Sequence, residues 1–220
     1  MNQSLNWPLW FARFQDFLQR QHAQDPSHDL AHIQRVVANA QNLTANSPAS
    51  LEIIYPAAWL HDCVTLPKDA PNRHQASRLA ADAATTFLHQ ANYPTHYIDA
   101  INHAIAAHSF SAQIPPQTLE AKIVQDADRL DALGAIGIAR CFTVGGALGR
   151  PLYTSPDPFC HTRTPNDLES SLDHFYTKLL TLADTMQTEA GRAEARRRTT
   201  FLRQFLDQLA QEITLDPILP

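Results

Sequence analysis

The 220 residues are enough for a sizeable hydrophobic core, and 44% hydrophobic with 18% charged residues is typical of a globular protein. A formal net charge of −5 at pH 7 gives no general attraction to nucleic acid or to an anionic membrane. No apolar run approaches the length of a membrane span, and the N-terminal residues lack the charged start and apolar stretch of a signal peptide.

The three cysteines bear on the compartment in which the chain works. Cys63, Cys141 and Cys160 are odd in number and widely spaced. That pattern is typical of free thiols in a reducing compartment, and not of a disulfide framework or a zinc knuckle. The free thiols lead us to expect a cytoplasmic protein. The net charge and the lack of a long apolar run lead us to expect no nucleic-acid or membrane partner.

Apolar residues recur at helical spacing along most of the chain. The spacing predicts a second helix over residues 30–43 and a third over residues 51–62. Pro56 lies inside the third and cannot donate to the carbonyl of Glu52, so we expect a kink or a late start there. A first helix, capped by Asn6, turns an aromatic face to the core that consists of Trp7, Trp10, Phe11, Phe14 and Leu18.

The rest of the chain continues in the same pattern. Further helices are predicted over residues 73–90, 95–108, a segment after Pro115-Pro116, 167–184 and 189–212. Residues 134–143 continue or restart the helix that follows the two prolines. Residues 145–166 show no clear period and are long for a structureless connection, which makes them a candidate lid. Because no segment shows convincing strand alternation, the sequence predicts an all-α fold.

Imidazoles and carboxylates recur in three separated segments, each within helical and apolar sequence. These segments are Asp29-Leu30-Ala31-His32, His61-Asp62 and Asp126-Ala127-Asp128-Arg129-Leu130-Asp131. Two nitrogen and two oxygen donors suit a divalent cation such as Mn²⁺, Fe²⁺, Mg²⁺ or Zn²⁺ and do not choose among them. Taken alone, His32 is more often a buried histidine bonded to backbone, and one aspartate is as readily part of a solvated acidic face. Three carboxylates so close together favour a bound cation.

The ordered set resembles the HD-domain superfamily of metal-dependent phosphohydrolases. The first two motifs match in the segment His28-Asp29-Leu30-Ala31-His32-Ile33-Gln34-Arg35-Val36 and the segment Ala57-Ala58-Trp59-Leu60-His61-Asp62. The third, over residues 126–140, is similar to that of small stand-alone bacterial HD hydrolases, some of which cleave nucleoside triphosphates to the monophosphate and pyrophosphate. The likeness extends to His174-Phe175-Tyr176-Thr177-Lys178-Leu179-Leu180 and the last helix.

The resemblance implies a fold and a set of metal ligands. The fold is a helical HD bundle with additional C-terminal helices, in one domain over residues 1–220. Its metal-binding core covers about 26–142 and its helical extension about 167–214. The implied ligands are His32, His61, Asp62 and Asp128. Mn²⁺ is the favoured ion, with Mg²⁺, Fe²⁺, Zn²⁺, Ni²⁺ and Co²⁺ left open.

Two choices within the implied site depend on local sequence. Asp128 is preferred to Asp126 because it precedes an Arg-Leu pair, as the distal aspartate does in the superfamily. Single-metal HD nucleotidases often carry a Glu just after the His-Asp pair to handle the proton. This chain has Cys63-Val64-Thr65 there, so Asp69 and Asp131 are its candidates for that catalytic role.

Groups suited to an anion follow the His-Asp pair, namely Lys68, Arg73 and Ser77. A guanidinium binds phosphate oxygens bidentately, an ammonium acts as a point charge, and the amides at a helix N-terminus favour anions. The resemblance adds His108 as a contact to substrate phosphate, for which a core histidine is an equal alternative. The predicted partner is a small phosphorylated substrate, with a nucleotide favoured, and the oligomeric state is left open.

The predicted function is divalent-metal-dependent hydrolysis of a phosphorylated metabolite by attack of an activated water at phosphorus. Two other functions stay open. One is a ligand-binding or regulatory protein that keeps the metal site without catalysis. The other is a di-iron oxygenase on the same scaffold, for which only His103 or His108 could supply further ligands.

Overall fold

The computed structural model describes residues 5–21, 30–66, 72–109 and 112–213. Over these residues the secondary structure is helical and contains no strand, which confirms the predicted all-α fold. The α-helices within these ranges are α1 Trp7–Gln21, α2 Leu30–Thr44, α3 Leu51–Leu60, α4 Ala76–Gln90, α5 Ile98–His108, α6 Leu119–Leu130, α7 Gly134–Ala147, α8 Asp173–Thr177 and α9 Glu189–Ile213. Short 3-10 turns, Arg73–Gln75 and Thr95–Tyr97, lead into α4 and α5.

The chain divides into two compact units, residues 1–128 and residues 129–220. The boundary falls within the last turn of α6, so Asp128 belongs to the first unit and Arg129 begins the second. The single domain implied by the resemblance stays a prediction.

Aromatic side chains fill the core of the first unit beside α1. The side-chain oxygen of Asn6 accepts a hydrogen bond from the amide of Leu9, at 3.2 Å, so Asn6 caps the helix as predicted. Trp10 and Phe14 are buried, and Trp10 meets Tyr93 edge-on with ring centroids 4.7 Å apart. The aromatic face of α1 is therefore core.

Helix α3 begins at Leu51 and runs through Pro56, so the late start allowed for at that proline is not found. A proline has no N–H, which leaves the carbonyl of Glu52 without its helical donor. The hydroxyl of Tyr93 donates to that carbonyl at 2.6 Å and satisfies it. Every residue from Ile54 to Leu60 is buried, so α3 is a central helix of the first unit.

The second unit contains α7, α8 and α9. The rings of Phe142, Phe175 and Phe205 lie together in it, with centroid separations of 5.8 to 5.9 Å. Arg198 of α9 donates to the carbonyl of Leu130 at 2.7 Å and so satisfies a terminal carbonyl of α6. Helix α9 confirms the last predicted helix.

The prediction of one long helix over residues 167–184 is wrong. Only α8 and a 3-10 segment, Leu179–Thr185, form there. The buried carboxylate of Asp173 accepts bonds from the Arg163 guanidinium at 2.5 and 2.6 Å, from the amide of Asn166 at 2.6 Å and from the hydroxyl of Ser170 at 2.7 Å. These bonds hold residues 166–171 in turns around the carboxylate, and helix formation is delayed until Asp173. The lid role of the preceding connection stays a prediction.

The cysteines are free, as the sequence predicted. Burial, followed by the charge of Asp62, raises the pKa of the Cys63 thiol to about 12, and its sulfur donates to the carbonyl of Ala80. Within the described part of the chain no individual helix has the length and apolar character of a membrane span. The consecutive helices α6 and α7 meet that test only when taken together across the bend between them.

Two glycines of α7 offer a matched test of packing in the second unit. A Cβ on Gly137 would lie 2.2 Å from the backbone oxygen of Ala132, whereas a Cβ on Gly146 would meet nothing within 4 Å. We expect Gly137→Ala to lower the free energy of unfolding by about 1–3 kcal/mol, because backbone must move. Gly146→Ala should raise it by about 0.5 kcal/mol, since alanine is the better helix former. Urea denaturation followed by circular dichroism measures both, and equal effects would contradict this packing.

Candidate metal centre

Four side chains with the chemistry of metal ligands meet at helix ends in the first unit. His32 lies in the first described turn of α2, His61 and Asp62 directly follow α3, and Asp128 lies in the last turn of α6. His32 Nε2 is 3.4 Å from His61 Nε2 and 3.5 Å from Asp128 Oδ1. Asp62 Oδ2 is 3.6 Å from His61 Nε2 and 3.9 Å from His32 Nε2. The structure thus brings together the four residues predicted as ligands.

The end of α3 explains how two sequence neighbours reach one place. On a regular helix the side chains of His61 and Asp62 would diverge by about 100°. The helix ends at Leu60, and the next two residues form a turn. Both side chains can therefore approach the same point.

The donor spacing fits a divalent cation. Ligands held 2.0–2.1 Å from a tetrahedral ion lie about 3.4 Å from one another. Each imidazole nitrogen of the cluster lies 3.4 to 3.9 Å from the other imidazole nitrogen and from an oxygen of each carboxylate, including 3.8 Å between His61 Nε2 and Asp128 Oδ1. Within the cluster, His32, His61 and Asp128 form a group that could hold a metal ion, and Asp62 Oδ2 lies within 3.9 Å of both imidazoles.

The tautomer and the protonation state of His61 suit a nitrogen ligand of a metal ion. A carbonyl only accepts, so the 2.8 Å contact between His61 Nδ1 and the oxygen of Ala58 places the proton on Nδ1. The lone pair is then on Nε2, which faces the carboxylates. Burial lowers the pKa of His61 to about 4 and outweighs the opposing charges of Asp62 and Asp128. The ring is therefore neutral at neutral pH, the form that binds metals.

The surroundings of the cluster favour positive charge. Helices α3, α5 and α6 all present their carboxyl-terminal ends here, and such an end carries roughly half a negative charge. The carboxylates of Asp62 and Asp128 add to it, with side chains 20% and 29% exposed, whereas the two imidazoles are buried. The carboxylate side is thus the side open to solvent and to a ligand.

His108 lies beside Asp62, a proximity that the sequence did not predict. Its Nε2 is 3.4 Å from Asp62 Oδ1, and its Nδ1 is 2.6 Å from the carbonyl oxygen of Ile105. Burial opposes the charged ring, but the hydrogen bond and charge of Asp62 raise the pKa of His108 overall. With His61 and Asp62 it forms a second group of potential ligands. This contact depends on how α5 packs against α3, so spacing along the chain carries no signal for it.

The residues predicted to bind phosphate have structural contacts of their own. Arg73 donates to the carbonyl of Leu66 at 3.1 Å, which uses one of its five N–H groups. Ser77 is buried, and its hydroxyl donates to the carbonyl of Ala106 at 2.9 Å. Their contact with substrate stays a prediction. Lys68 and Asp69 lie outside the described residues.

The three clustered aspartates have different surroundings. Asp128 faces His32, as described above, while Asp126 is fully buried. Asp131 lies in the second unit, where its carboxylate forms an ion pair with Arg140. The catalytic role assigned to Asp131 stays a prediction.

Comparisons with known proteins agree on one family. The family model described as HD domain matches residues 29–133. YpgQ of Bacillus subtilis strain 168, described as uncharacterized, is 34% identical over 194 residues, which cover 86% of this chain and 86% of that protein.

Solved structures give the same result. An HD-superfamily hydrolase from Bacillus thuringiensis superposes with a TM-score of 0.74 at 33% identity, covering 95% of this chain and 99% of that one. The complex of Bacillus subtilis YpgQ with ADP superposes with a TM-score of 0.69 at 31% identity, covering 93% of this chain and 96% of that one.

The acidic cluster gives a direct test of which carboxylate is a ligand. We expect Asp128→Asn to weaken Mn²⁺ binding by roughly a hundredfold or more, because it removes a charged donor facing His32. The isosteric Asp126→Asn should leave the Mn²⁺ dissociation constant within about threefold. Loss of a direct ligand weakens metal binding more than a change outside the set of ligands. Calorimetric titration of the metal-free proteins with Mn²⁺ measures both. Weaker binding by the Asp126 variant alone would show that the wrong aspartate has been chosen.

Proposed function

This chain belongs to the HD-domain superfamily, and we propose that it is a divalent-metal-dependent phosphohydrolase acting on a small phosphorylated metabolite. The observation that carries the proposal is the meeting of two imidazoles and two carboxylates at helix ends, with each imidazole nitrogen 3.4 to 3.9 Å from the other and from both carboxylates. A nucleotide is the favoured substrate, because a relative 31% identical to this chain has been crystallised with ADP.

In this proposal His32, His61, Asp62 and Asp128 hold the ion. A bound divalent cation would supply a water of lowered pKa and would polarise a phosphoryl oxygen. The two carboxylates offset the charge of the ion, and the neutral ring of His61 gives a lone pair without adding charge. Mn²⁺ is our favoured ion, although this donor set does not choose among Mn²⁺, Mg²⁺, Fe²⁺, Zn²⁺, Ni²⁺ and Co²⁺.

Hydrolysis joins a water oxygen to phosphorus and breaks the bond from phosphorus to the leaving oxygen, which keeps the shared electron pair. The attacking water gives up a proton, for which Asp131 and Asp69 are our candidate acceptors. Arg73 and Lys68 would offset charge on the phosphoryl oxygens, while Ser77 and His108 would contact substrate. The partly exposed carboxylate side of the cluster suits such an approach.

A di-iron oxygenase needs more ligands than these four. Of the two histidines that could supply them, His108 lies beside Asp62, whereas His103 Nε2 accepts the amide of Gln117 at 3.0 Å. The described residues thus offer one further imidazole, and the ADP complex of the relative favours phosphate chemistry.

The proposal is tested by stripping the protein of metal, reloading it with Mn²⁺ and incubating it with nucleoside tri-, di- and monophosphates. We expect metal-dependent release of phosphate or pyrophosphate, which ³¹P NMR distinguishes. His61→Ala should lower the rate at least a hundredfold, since it removes a ligand of the ion. The control variant His89→Ala changes an exposed histidine of α4 and should keep the rate.

Hydrolysis that persists in His61→Ala without metal would contradict the proposal, and a failure to cleave any nucleotide would contradict a nucleotide substrate. Two iron ions per chain with oxygen consumption would instead favour the oxygenase.

The role of Arg73 gives a separate prediction. If its guanidinium binds substrate phosphate, Arg73→Ala should lower kcat/KM by roughly ten- to a hundredfold, the value of a charge-assisted hydrogen bond. Mn²⁺ content should not change. Arg20→Ala is the matched control, because Arg20 forms an exposed ion pair with Asp16 on α1. Steady-state kinetics with a triphosphate and with a monoanionic ester measure the effect, and an equal loss on both substrates would argue against phosphate binding.

A further inference from the structure

One carboxyl-terminal carbonyl of α5 and one of α6 accept hydrogen bonds from side-chain amides of other helices. The last four carbonyls of an α-helix have no partner within the helix. At the end of α5, the carbonyl of Ala107 accepts the side-chain amide of Gln125 at 2.7 Å. At the end of α6, the carbonyl of Ala127 accepts the side-chain amide of Asn39 at 3.1 Å.

Each of these carbonyls belongs to the peptide group directly before a residue of the metal centre. Ala127 precedes Asp128, and Ala107 precedes His108. The peptide group is planar, so a hydrogen bond that fixes the carbonyl also fixes the direction of the N–Cα bond of the next residue. The two amides therefore act on the backbone from which Asp128 and His108 project.

The two amides also connect the helices that carry the cluster. Asn39 lies seven residues after His32 in α2, two turns along the same face, so its bond links the helix of His32 to the helix of Asp128. Gln125 lies one turn before Asp128 in α6, so its bond links that helix to the one that ends at His108.

Both amides are placed where packing alone favours apolar side chains. Asn39 is 7% exposed and Gln125 is 3% exposed. Neighbours on their helices, Val36, Ala40 and Val124, are buried apolar residues. A buried amide without a partner destabilises the folded protein, and an apolar side chain packs there without that penalty. Unlike apolar contact, a hydrogen bond to one carbonyl fixes the register of two helices.

We propose that Asn39 and Gln125 are positioning residues of the metal centre, which hold the backbone of Asp128 and His108 so that the donor atoms keep their spacing. The inference rests on the proposed function, because it concerns the site that would hold the ion.

The test compares Mn²⁺ affinity with the stability of the metal-free protein. Asn39→Leu and Gln125→Met keep side-chain volume and remove the amide donor. Thr44→Val is the matched control, because Thr44 is buried on α2 and its hydroxyl bonds to the Ala40 carbonyl of the same helix. Mn²⁺ binding is measured by the electron paramagnetic resonance of free and bound ion, and stability by the Tm in EDTA.

We expect the Mn²⁺ dissociation constant to rise about tenfold in Asn39→Leu and at least about threefold in Gln125→Met, with an altered spectrum of the bound ion. Thr44→Val should lower the Tm and leave the affinity within about twofold. If Asn39→Leu does not fold, Asn39→Ser replaces it with the same expected rise.

Unchanged affinity in both amide variants would overturn the inference and leave the proposed function standing. A loss of affinity that follows the loss in Tm across all three variants would also overturn it, because the amides would then act only on stability. Wild-type protein that binds no divalent ion would overturn the proposed function, and the inference with it.

Discussion

The concentration of negative charge at the candidate metal centre is the main electrostatic constraint on the first unit. The carboxylates of Asp62 and Asp128 lie around two imidazole nitrogens, at the negative ends of three helices. Two negative charges beside the same buried rings raise the energy of the folded chain unless a cation offsets them. Burial keeps the ring of His61 neutral, so that ring does not offset them. A divalent ion bound by these side chains would remove the conflict, and in the proposed function the same ion would activate the attacking water.

Helices α3 and α5 both end at the candidate metal centre. Helix α3 continues through Pro56, and Tyr93 satisfies the carbonyl of Glu52 that the proline leaves without a donor. It then ends at Leu60, so that the turn presents the neighbouring side chains of His61 and Asp62 together. Helix α5 ends at His108, whose ring returns to the carbonyl of Ile105 and points its other nitrogen at Asp62. The places where these helices end thus decide which side chains meet at the site, and the helix ends add negative charge to it.

The sequence could single out the four candidate ligands because they belong to short local motifs. His61-Asp62 and the segment around Asp128 carry their signal within a few residues, and the structure brings these side chains together with His32. The aromatic face of α1 and the last helix were also predicted, since both depend on local periodicity. The helix predicted over residues 167–184 was wrong because Asp173 bonds to Arg163, a contact between loop residues that periodicity does not encode.

Two other contacts between distant helices were not predicted from the sequence. The placement of His108 beside Asp62, and the bond from Asn39 to Ala127, join residues 46 and 88 positions apart. A polar residue on an otherwise apolar face, as Asn39 is on α2, was the one available signal for the second contact.

The most direct test of the central claim is anomalous diffraction at the manganese edge from crystals grown with Mn²⁺. The account predicts one strong peak about 2.0–2.3 Å from His32 Nε2, His61 Nε2 and a carboxylate oxygen of each of Asp62 and Asp128. A peak elsewhere on the chain, or no peak within reach of these four side chains at saturating Mn²⁺, would contradict it.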